Sequence, residues 1–409
     1  MRVLLVGVGT VGEAIARMVA QRDWCEQLVL ADYDLARPRL LQSALGDPGR
    51  FPVEQIDARD SAAVAELARR HGSTLIMNAV DPRFVMPLFD GALAAGVDYM
   101  DMANSLSLPH PDDPYAKPGV KLADEQLAKA AEWESAGRLA LIGMGMDPGL
   151  TDVFARYAAD HLFDQVDEVH IRDGGDLHIP GFAFAPVFSI WTTIEECLNP
   201  PVIWSDGDWH TTEPFSAPEE FPFPEGIGPV ECVNVEHEEV LLVPRWLPHV
   251  RRVTFKYALG SDFIEKLRFL HDIGLDRTDP VQVRGASVSP RDVVAAVVPD
   301  PVTMGDKMVG RAIVGTWVIG SRDGKPREVF LYQMADAAET LRTTGSQVVG
   351  WQTGFNPVLA MELLANETWS GTGVLGPEAF DAAPYLELMD RYGIHHAMVE
   401  MEPGAHRPT

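Results

Sequence analysis

The chain has 409 residues, 46% of them hydrophobic, which is enough apolar material for the cores of two or three domains. Its 33 basic and 60 acidic residues give a net charge of -27, which argues against nucleic acids and anionic membrane surfaces as partners. Three cysteines without a CxxC spacing exclude a disulfide framework and a zinc ribbon. Glycines interrupt the first apolar run and no later run is long enough for a membrane helix, so we expect a cytoplasmic protein.

The opening segment, RVLLVGVGTVGEAIARMVAQ, predicts a buried strand over residues 3–6, a glycine turn and an amphipathic helix. The apolar run LVLAD follows at the spacing of a right-handed strand-helix-strand crossover. The same alternation continues to residue 147 and predicts an α/β fold, a Rossmann doubly wound parallel sheet, over residues 1–147. Residues 105–121, rich in proline, interrupt the pattern as a surface loop that is either a lid or a plain connector.

Residues 148–345 have a different pattern, with isolated strands, aromatic residues and turns that are typical of an α+β domain. Asp323 and Gly324 separate two strand-like runs and predict a hairpin. Ser289 is expected to cap the helix that follows it. Residues 346–409 are too few to form their own core, so we expect them to return as a helical segment that packs on the Rossmann domain.

A glycine motif, GxGxxG, follows the first predicted strand and contains Gly7, Gly9 and Gly12. In a dinucleotide-binding loop the first glycine permits the turn, the second lets the backbone approach a pyrophosphate, and the third allows close packing of helix on strand. Thr10 and Val11 lie within the motif and belong to the same predicted cofactor site. A glycine-rich turn without a ligand is the structural alternative, although the strand and helix on either side favour the dinucleotide.

Three polar residues at predicted strand ends extend this cofactor site. Asp32 follows Gly12 by about 20 residues, where a carboxylate can accept the ribose hydroxyls of NAD. No basic residue stands directly beside Asp32, so the sequence favours NAD over NADP. Asp57 and Asn78 end the next two strands and could border the same crevice, or they could simply cap loops.

The segment LIGMGMDPGLTD places Asp147 at the end of another strand, before a Pro-Gly turn and a helix. Thr151 or Asp152 is expected to cap that helix. A turn before a capped helix explains these residues without any chemistry. The alternative is that Asp147 faces the crevice beside the nicotinamide and takes part in catalysis.

Five segments of the chain resemble the saccharopine dehydrogenase family: LALIGMGMDPGLTDVFARYAADHLFDQVDEVHIRDGG, NAVDPRFVMPLFDGALAAGVDYMDMA, FAFAPVFSIWTTIEECLNPPVIWSDG, ALGSDFIEKLRFLHDIGL and TGFNPVLAMELLANETWSGTGVLGPEAF. The resemblance implies a Rossmann domain with an inserted α+β domain for substrate binding and dimerisation, and a homodimer. It also implies hydride transfer between a nicotinamide cofactor and a C-N bond of an amino acid or diamine. Some segments resemble lysine 6-dehydrogenases, and others resemble the saccharopine and carboxynorspermidine branches.

This resemblance makes Asp147 the first candidate for the catalytic acid-base group, because an amine must lose a proton before its carbon can release hydride. Arg172 could bind a substrate carboxylate and Asp173 an ammonium, with a strand-end salt bridge as the alternative. His237 and Lys256 are alternative proton carriers. The predicted substrate site consists of Gly149, Arg172, Asp173, Phe188, Trp191 and Thr192, of which the aromatic members could instead be core residues.

The sequence therefore predicts an NAD(P)-dependent oxidoreductase of CH-NH donors, with NAD preferred and with lysine, a related diamine, a polyamine or an opine-like conjugate as the small-molecule substrate. The alternative is a catalytically silent dinucleotide-binding protein with a role in sensing or assembly. A serine hydrolase is excluded by the lack of a GxSxG motif. His210, His395 and His396 lack the spacing of metal ligands, and no metal is expected.

Overall fold

A computed structural model describes residues 1–406. Its first part alternates strands and helices, as the apolar periodicity predicts. In chain order these elements are β1 (Arg2–Val6), α1 (Thr10–Val19), β2 (Gln27–Asp32), α2 (Ala36–Leu45), β3 (Val53–Gln55), α3 (Ser61–His71), β4 (Leu75–Asn78), α4 (Val85–Ala95), β5 (Asp98–Met100), α5 (Asp124–Leu127), α6 (Ala130–Ser135) and β6 (Leu139–Leu141).

The second part contains longer strands and a few helices of eight to twelve residues before a final helical segment. Its elements are α7 (Leu150–Tyr157), β7 (Gln165–Gly175), α8 (Ile190–Leu198), β8 (Val202–Ser205), β9 (Asp208–Thr211), β10 (Glu219–Phe223), β11 (Gly228–Asn234), α9 (Glu239–Trp246), β12 (Arg252–Tyr257), α10 (Ser261–Asp272), β13 (Val281–Val283), β14 (Ala286–Val288), α11 (Pro290–Val297), β15 (Arg311–Arg322), β16 (Lys325–Asp336), α12 (Ala337–Thr344), α13 (Val348–Ala365), β17 (Gly373–Leu375), α14 (Ala383–Arg391) and β18 (His396–Met401).

The first sheet has seven parallel strands in the order β17-β6-β5-β4-β1-β2-β3. Strand order reverses between β1 and β4, and in such sheets the ligand crevice lies at the carboxyl ends of the strands beside this reversal. Val6 and Asn78 are partners in the β1-β4 register, so the glycine loop and Asn78 emerge at the same edge. The predicted Rossmann sheet is confirmed.

The second sheet is mixed and has nine strands, with the path β10-β11-β12-β7-β15-β16-β18, while β8 pairs with β12 and β9 pairs with β8. Its centre is a parallel pair, β7 and β12, in which Asp173 is the partner of Tyr257. The predicted hairpin is confirmed: β15 and β16 meet at Asp323 and Gly324, whose φ angles are 51° and 69°. Ser289 caps α11, since its side chain accepts a hydrogen bond from the amide of Asp292.

The C-terminal segment joins both sheets. Helix α13 packs on α1 at two glycines, and a Cβ at Gly350 would lie 2.3 Å from the Thr10 side chain. Strand β17 extends the first sheet beside β6, whereas β18 pairs with β16 in the second sheet. A helical return that packs only on the Rossmann domain is therefore wrong, because the last strand, β18, belongs to the second sheet. The domain boundaries after residues 147 and 345 stay predictions.

None of the helices within residues 1–406 has the length and apolar character needed to cross a membrane.

Candidate active site

The glycine loop between β1 and α1 has two closely packed glycines and one open glycine. A Cβ at Gly7 would lie 2.4 Å from the Ala79 carbonyl oxygen, and one at Gly12 would lie 2.0 Å from the Gly7 oxygen. A Cβ at Gly9 would meet nothing within 4 Å. The loop therefore has the tight packing and the open backbone position that a pyrophosphate requires, beside the free amides at the start of α1.

A cavity of about 610 Å³ begins at this loop and ends between the two domains. The first domain contributes Gly9, Thr10, Val11, Asn78 and Asp101, and the second contributes Phe188, Trp191, Thr192, Glu196, His237, Glu238 and Tyr257. A further wall comes from residues 295–302, which follow α11. Asp147 and Asp173 lie on the border with a second cavity of about 280 Å³, which reaches Ile179 and Phe263.

The predicted cofactor residues divide into three groups. Gly9, Thr10, Val11 and Asn78 line the large cavity, while Gly7 and Gly12 shape the loop. Asn78 also accepts a hydrogen bond from the amide of Val80, as in the Asx-turn alternative. Asp32 ends β2 and accepts hydrogen bonds from the amides of Val8 at 2.7 Å and Asp34 at 3.0 Å, which fixes its carboxylate beside the loop.

Neither Asp32 nor Asp57 is among the residues that line the two cavities, but Asp57 also lacks the contact with the glycine loop that Asp32 has. The Asp57 carboxylate is held by the Arg59 guanidinium at 2.8 Å, and both side chains are exposed. The Arg59 amide also donates to the Asp57 side chain. The structure therefore favours the loop-capping alternative for Asp57 over a cofactor contact.

The turn after β6 is as compact as its sequence predicts. The Asp147-Pro148 peptide bond is cis. A Cβ at Gly149 would lie 2.1 Å from the Gly145 oxygen, so only glycine fits there. Gly149 does not line either cavity, and its predicted contact with substrate is therefore replaced by a role in the turn. Asp152 completes the helix cap by accepting the Gly149 amide at 2.7 Å, whereas the Thr151 hydroxyl donates to Glu239 instead.

Asp147 and Asp173 form a pair of carboxyl groups at the border of the two cavities. Burial and then the charge of Asp173 raise the pKa of Asp147 well above its usual range. Burial also raises the pKa of Asp173 to about 7, although hydrogen bonds from Tyr257 and Asp147 oppose this rise. Two neighbouring buried carboxyl groups are not readily ionised together, so the pair can hold or release a proton near neutral pH.

His237 lies beside this pair and is stacked on Phe255, with ring centroids 3.6 Å apart. Its Nδ1 is 2.6 Å from Glu239 and 3.4 Å from Glu238. Burial lowers the pKa of His237, but Glu239, Glu238 and Asp147 outweigh this effect and raise it well above its usual range. His237 is therefore a cation that the surrounding carboxylates stabilise.

His237, Glu238 and Glu239 also bring ligand-type atoms within 4.8 Å of one another. In this structure the hydrogen bond from the imidazolium to Glu239 occupies those atoms. The cluster is therefore a hydrogen-bonded ion pair.

Arg172 and Lys256, two predicted site residues, lie on the opposite face of the second sheet. Both bind Glu219, at 2.7 Å from Arg172 Nε and 2.8 Å from Lys256 Nζ. Burial opposes ionisation of Glu219, but the two cations lower its pKa to about 2. The structure therefore favours the salt-bridge alternative for Arg172 over contact with a substrate carboxylate. Neither Arg172 nor Lys256 lines the two cavities, because neighbouring residues on a strand point to opposite faces.

The predicted aromatic residues do reach the cavity. Phe188 and Trp191 line it with Thr192 at the start of α8, whose cap is Ser189. The Trp191 ring lies between two guanidinium groups, at 4.2 Å from Arg83 and 4.7 Å from Arg291. Trp191 is thus fixed in the wall by residues from both domains.

Sequence reasoning missed several lining residues, mainly Asp101, Glu196, Glu238 and Tyr257. Burial raises the pKa of Asp101 to about 7 and that of Glu196 to about 8. Asp101 follows β5 and Tyr257 ends β12, so the rule that ligands lie at strand ends could have found both. Glu196 lies within a helix, and the sequence contains no comparable signal for it.

Two family models together match most of the chain. The saccharopine dehydrogenase NADP binding domain matches residues 3–141, and the saccharopine dehydrogenase C-terminal domain matches residues 145–394. Among similar proteins, carboxyaminopropylagmatine dehydrogenase of Synechocystis sp. is 28% identical over 96% of each chain. Carboxynorspermidine synthase of Vibrio cholerae is 28% identical over 99% of this chain and 98% of its own.

A solved structure of apo saccharopine dehydrogenase (L-Glu forming) from Saccharomyces cerevisiae has the same fold, with a TM-score of 0.68 and 16% identity, covering 98% of this chain and 100% of that one. The predicted family, fold and nicotinamide dinucleotide cofactor are confirmed. At the level of the family, the comparisons also support an NAD(P)-dependent dehydrogenase of amines over a catalytically silent protein. The chain belongs to the saccharopine dehydrogenase family.

Proposed function

We propose that this chain is an NAD-dependent oxidoreductase that moves a hydride at a C-N bond of an extended cationic amine, of the carboxylated polyamine class. The observation that carries the proposal is the charge of the cavity wall. Among the described residues that line the large cavity, none is lysine or arginine. The acidic lining residues are Asp81, Asp101, Asp147, Asp173, Glu196, Glu238 and Asp300.

Such a wall favours a substrate with more positive than negative charges. A buried carboxylate is costly unless a cation compensates it, and a polyamine supplies that compensation when it binds. Saccharopine carries more carboxylate than amine groups, whereas a carboxylated polyamine has one carboxylate and several ammonium groups, so it compensates more of the wall's negative charge than lysine does. Arg172, the candidate partner for a substrate carboxylate, binds Glu219 instead. The names of the two curated relatives, carboxyaminopropylagmatine dehydrogenase and carboxynorspermidine synthase, agree with an amine of this class.

The shape of the cavities supports an extended substrate. The smaller cavity continues beyond Asp147 and Asp173 and is walled by apolar residues such as Ile179, Val187 and Phe263. A long alkyl chain could therefore lie in this second cavity while its reacting C-N bond stays beside the two carboxyl groups. This arrangement holds the reacting carbon in place, which lowers the entropic part of the barrier.

The nicotinamide ring would supply the hydride acceptor for oxidation of the C-N bond. Asp147 and Asp173 accept the proton that the substrate ammonium must lose before oxidation, and return it in the reverse direction. Tyr257 is the register partner of Asp173 on the neighbouring strand and lines the same cavities. His237, as a fixed cation, limits the repulsion among the surrounding carboxylates.

We also propose NAD rather than NADP as the preferred cofactor, because Asp32 stands where the adenosine ribose hydroxyls would bind. A homodimer in the cytoplasm completes the proposal. Four exposed apolar side chains, Phe269, Ile273, Val283 and Val297, support a protein contact near α10 and α11. The three buried free cysteines suit a reducing compartment.

The test is spectrophotometric detection of the reduced cofactor. NAD and NADP are offered with lysine, ornithine, saccharopine and carboxylated polyamines, and carbonyl plus amine is offered in the reverse direction. We expect turnover with NAD and a carboxylated polyamine. No rate with any amine under either cofactor would contradict the proposal, and a preference for lysine or saccharopine would contradict the substrate class.

The variant Asp147→Asn tests the chemistry itself. We expect turnover to fall by at least about a hundredfold, as for loss of an acid-base group, with NAD affinity intact. Asp208→Asn, which neutralises an exposed carboxylate at the start of β9, is the matched control and should keep full activity. Unchanged turnover in Asp147→Asn would return this residue to a purely structural role in the turn.

A further inference from the structure

An ion pair joins the two domains beside the cofactor end of the cavity. Arg37, from the first turn of α2, places its guanidinium 2.7 Å from a carboxylate oxygen of Asp300 in the second domain. The two side chains are 47% and 48% exposed, so solvent weakens the attraction but leaves both groups accessible.

Arg37 lies in the region where a Rossmann domain distinguishes NAD from NADP. Helix α2 begins at Ala36, shortly after Asp32, the carboxylate at the end of β2. In this fold an acid at that strand end binds the ribose 2'-hydroxyl, and an arginine nearby accommodates a 2'-phosphate. Arg37 is therefore a suitable partner for the extra phosphate of NADP, provided that its guanidinium is available.

Asp300 is held in a position to occupy that guanidinium. One of its carboxylate oxygens accepts the amide of Val302 at 3.1 Å and caps a short 3-10 turn. The other oxygen contacts Arg37. Pro299 and Pro301 flank Asp300, and all three residues line the wall of the large cavity. The backbone around Asp300 thus presents its second oxygen to the first domain.

We infer that Asp300 is a cofactor-specificity residue that acts through Arg37. With NAD the ion pair persists. With NADP the pair must separate, and the 2'-phosphate must bind with the carboxylate of Asp300 close by. The inference rests on the dinucleotide site of the proposed function and explains how a domain with an arginine in the first turn of α2 can prefer NAD.

A second ion pair between the same two domains provides a matched control. Arg83, which follows β4, places its guanidinium 3.0 Å from Asp292 in α11. Loss of this pair would loosen the same domain contact without changing the charge near Arg37. Asp292→Asn therefore separates a general loosening of the cleft from a specific effect on the cofactor.

The experiment measures binding of NAD and NADP by isothermal titration calorimetry, without an amine substrate. The proteins are wild type, Asp300→Asn, Asp292→Asn, Arg37→Ala and the double variant of Arg37→Ala with Asp300→Asn. An exposed ion pair changes an equilibrium constant by up to about fivefold. We expect Asp300→Asn to tighten NADP binding by about this factor while NAD binding stays constant.

Asp292→Asn should leave the ratio of the two affinities unchanged, and Asp300→Asn should have no effect on NADP binding in the Arg37→Ala background. Unchanged NADP binding in Asp300→Asn, an equal gain in Asp292→Asn, or a full gain without Arg37 would each overturn the inference. The relative affinity of the wild type for NAD and NADP tests the proposed NAD dependence, and turnover tests the proposed reaction. Failure of either can therefore be distinguished from failure of the inference about Asp300.

Discussion

Arg172 and Asp173 are neighbours on β7, yet their surroundings differ completely. Arg172 is fully buried and shares Glu219 with Lys256 on one face of the sheet. Asp173 faces the cavities on the other side, beside Asp147. The pKa of Glu219 falls to about 2 because two cations outweigh the cost of burial, whereas burial raises the pKa of Asp173 to about 7.

This difference separates charges that stabilise the fold from charges that can act on a ligand. In the Arg172 cluster the two cations share one carboxylate, so each charged group has an opposite charge beside it within the protein. Around Asp173 the carboxyl groups outnumber the single imidazolium, and the missing positive charge must come from a proton or from a bound cation. The proposed reaction requires a pair that loses its proton, binds the substrate ammonium and then accepts a proton from it.

The strongest test of the Arg172 cluster is the variant Glu219→Gln. This change leaves Arg172 and Lys256 buried without their shared carboxylate. Removal of one partner from a buried ion pair destabilises proteins by about 3–5 kcal/mol, and we expect a loss of this size in chemical denaturation. Glu220→Gln, an exposed change on the same strand, is the control and should alter stability by less than about 0.5 kcal/mol.

If Glu219 only stabilises the sheet, the folded Glu219→Gln protein should keep the wild-type KM for its amine. A raised KM would indicate that the Arg172 cluster contributes to substrate binding after all, and a stability loss below about 1 kcal/mol would remove the contrast with Asp173.

Asp152 and Glu378 show that a raised pKa does not by itself mark a site. Both are buried and line neither cavity. Burial raises the pKa of Glu378 from 4.5 to about 7, and burial with the charge of Glu378 raises that of Asp152. Among the described residues, Arg156 donates to the backbone oxygen of Glu378 rather than to its carboxylate. Both carboxylate oxygens of Glu378 and the Oδ1 of Asp152 are buried without a hydrogen-bond partner. Within residues 1–406, the negative charges of this pair have no positive charge beside them, yet neither carboxylate can reach a ligand in the two cavities.

For this pair we expect a cost in stability that depends on pH. The folded-state pKa of Glu378 lies above its usual value, so its stabilising contribution is present below about pH 4.5 and is lost as the pH rises through about 7. Glu378→Gln should therefore stabilise the protein at pH 8 by up to about 3 kcal/mol, with little change at pH 4.5. Thermal unfolding at both pH values measures this, and equal shifts at both would contradict the assignment.

The sequence was sufficient for the elements whose signals are local. The glycine loop, the Asp323-Gly324 turn and the Ser289 cap all depend on a few adjacent residues, and the structure has each of them. The sequence could not predict in the same way which face of β7 lies towards the cavity. Alternation shows that Arg172 and Asp173 point to opposite sides, but only the packed sheet determines which side faces the cavity.

The candidate site was predicted in part for the same reason. Asn78 ends β4 and Asp147 lies in the segment that follows β6, both at strand ends of the first sheet, where the strand-end rule applies. Glu196, Glu238 and Tyr257 come from three separate elements of the second domain, and the parallel pairing of β12 with β7 places Tyr257 beside Asp173. Long-range pairing of this kind leaves no local signal, so the acidic cluster appeared only in the structure.

The variant Asp173→Asn tests whether the two carboxyl groups act as a pair. Asp147 would lose the neighbouring charge that raises its pKa, so its pKa should fall. In the oxidative direction kcat/KM rises with pH as the pair loses its proton, and the limb near pH 7 should therefore move to lower pH. We also expect kcat/KM at the optimum to fall about tenfold, from loss of one charge beside the ammonium.

The pH profile of Asp173→Asn is the measurement that a merely structural role would not move. Asp167→Asn, near the other end of β7, is the control and should keep the wild-type profile. A profile that stays unshifted in Asp173→Asn would mean that Asp147 titrates alone.

Glu195 and Glu196 repeat the contrast on a smaller scale within α8. Glu195 is paired with Arg291, whereas Glu196 lines the large cavity, where burial raises its pKa to about 8. Glu196→Gln should raise KM for a cationic amine by about threefold to fivefold, the size expected for one charge across a partly hydrated cavity, and leave kcat unchanged. Glu195→Gln should instead lower stability at constant KM, because it leaves Arg291 without its partner. Steady-state kinetics on both variants measure these effects. A rise in KM in Glu195→Gln alone would mean that the other face of α8 lies towards the substrate. An equal rise in both variants would mean that KM depends on the net charge of the helix rather than on one carboxylate.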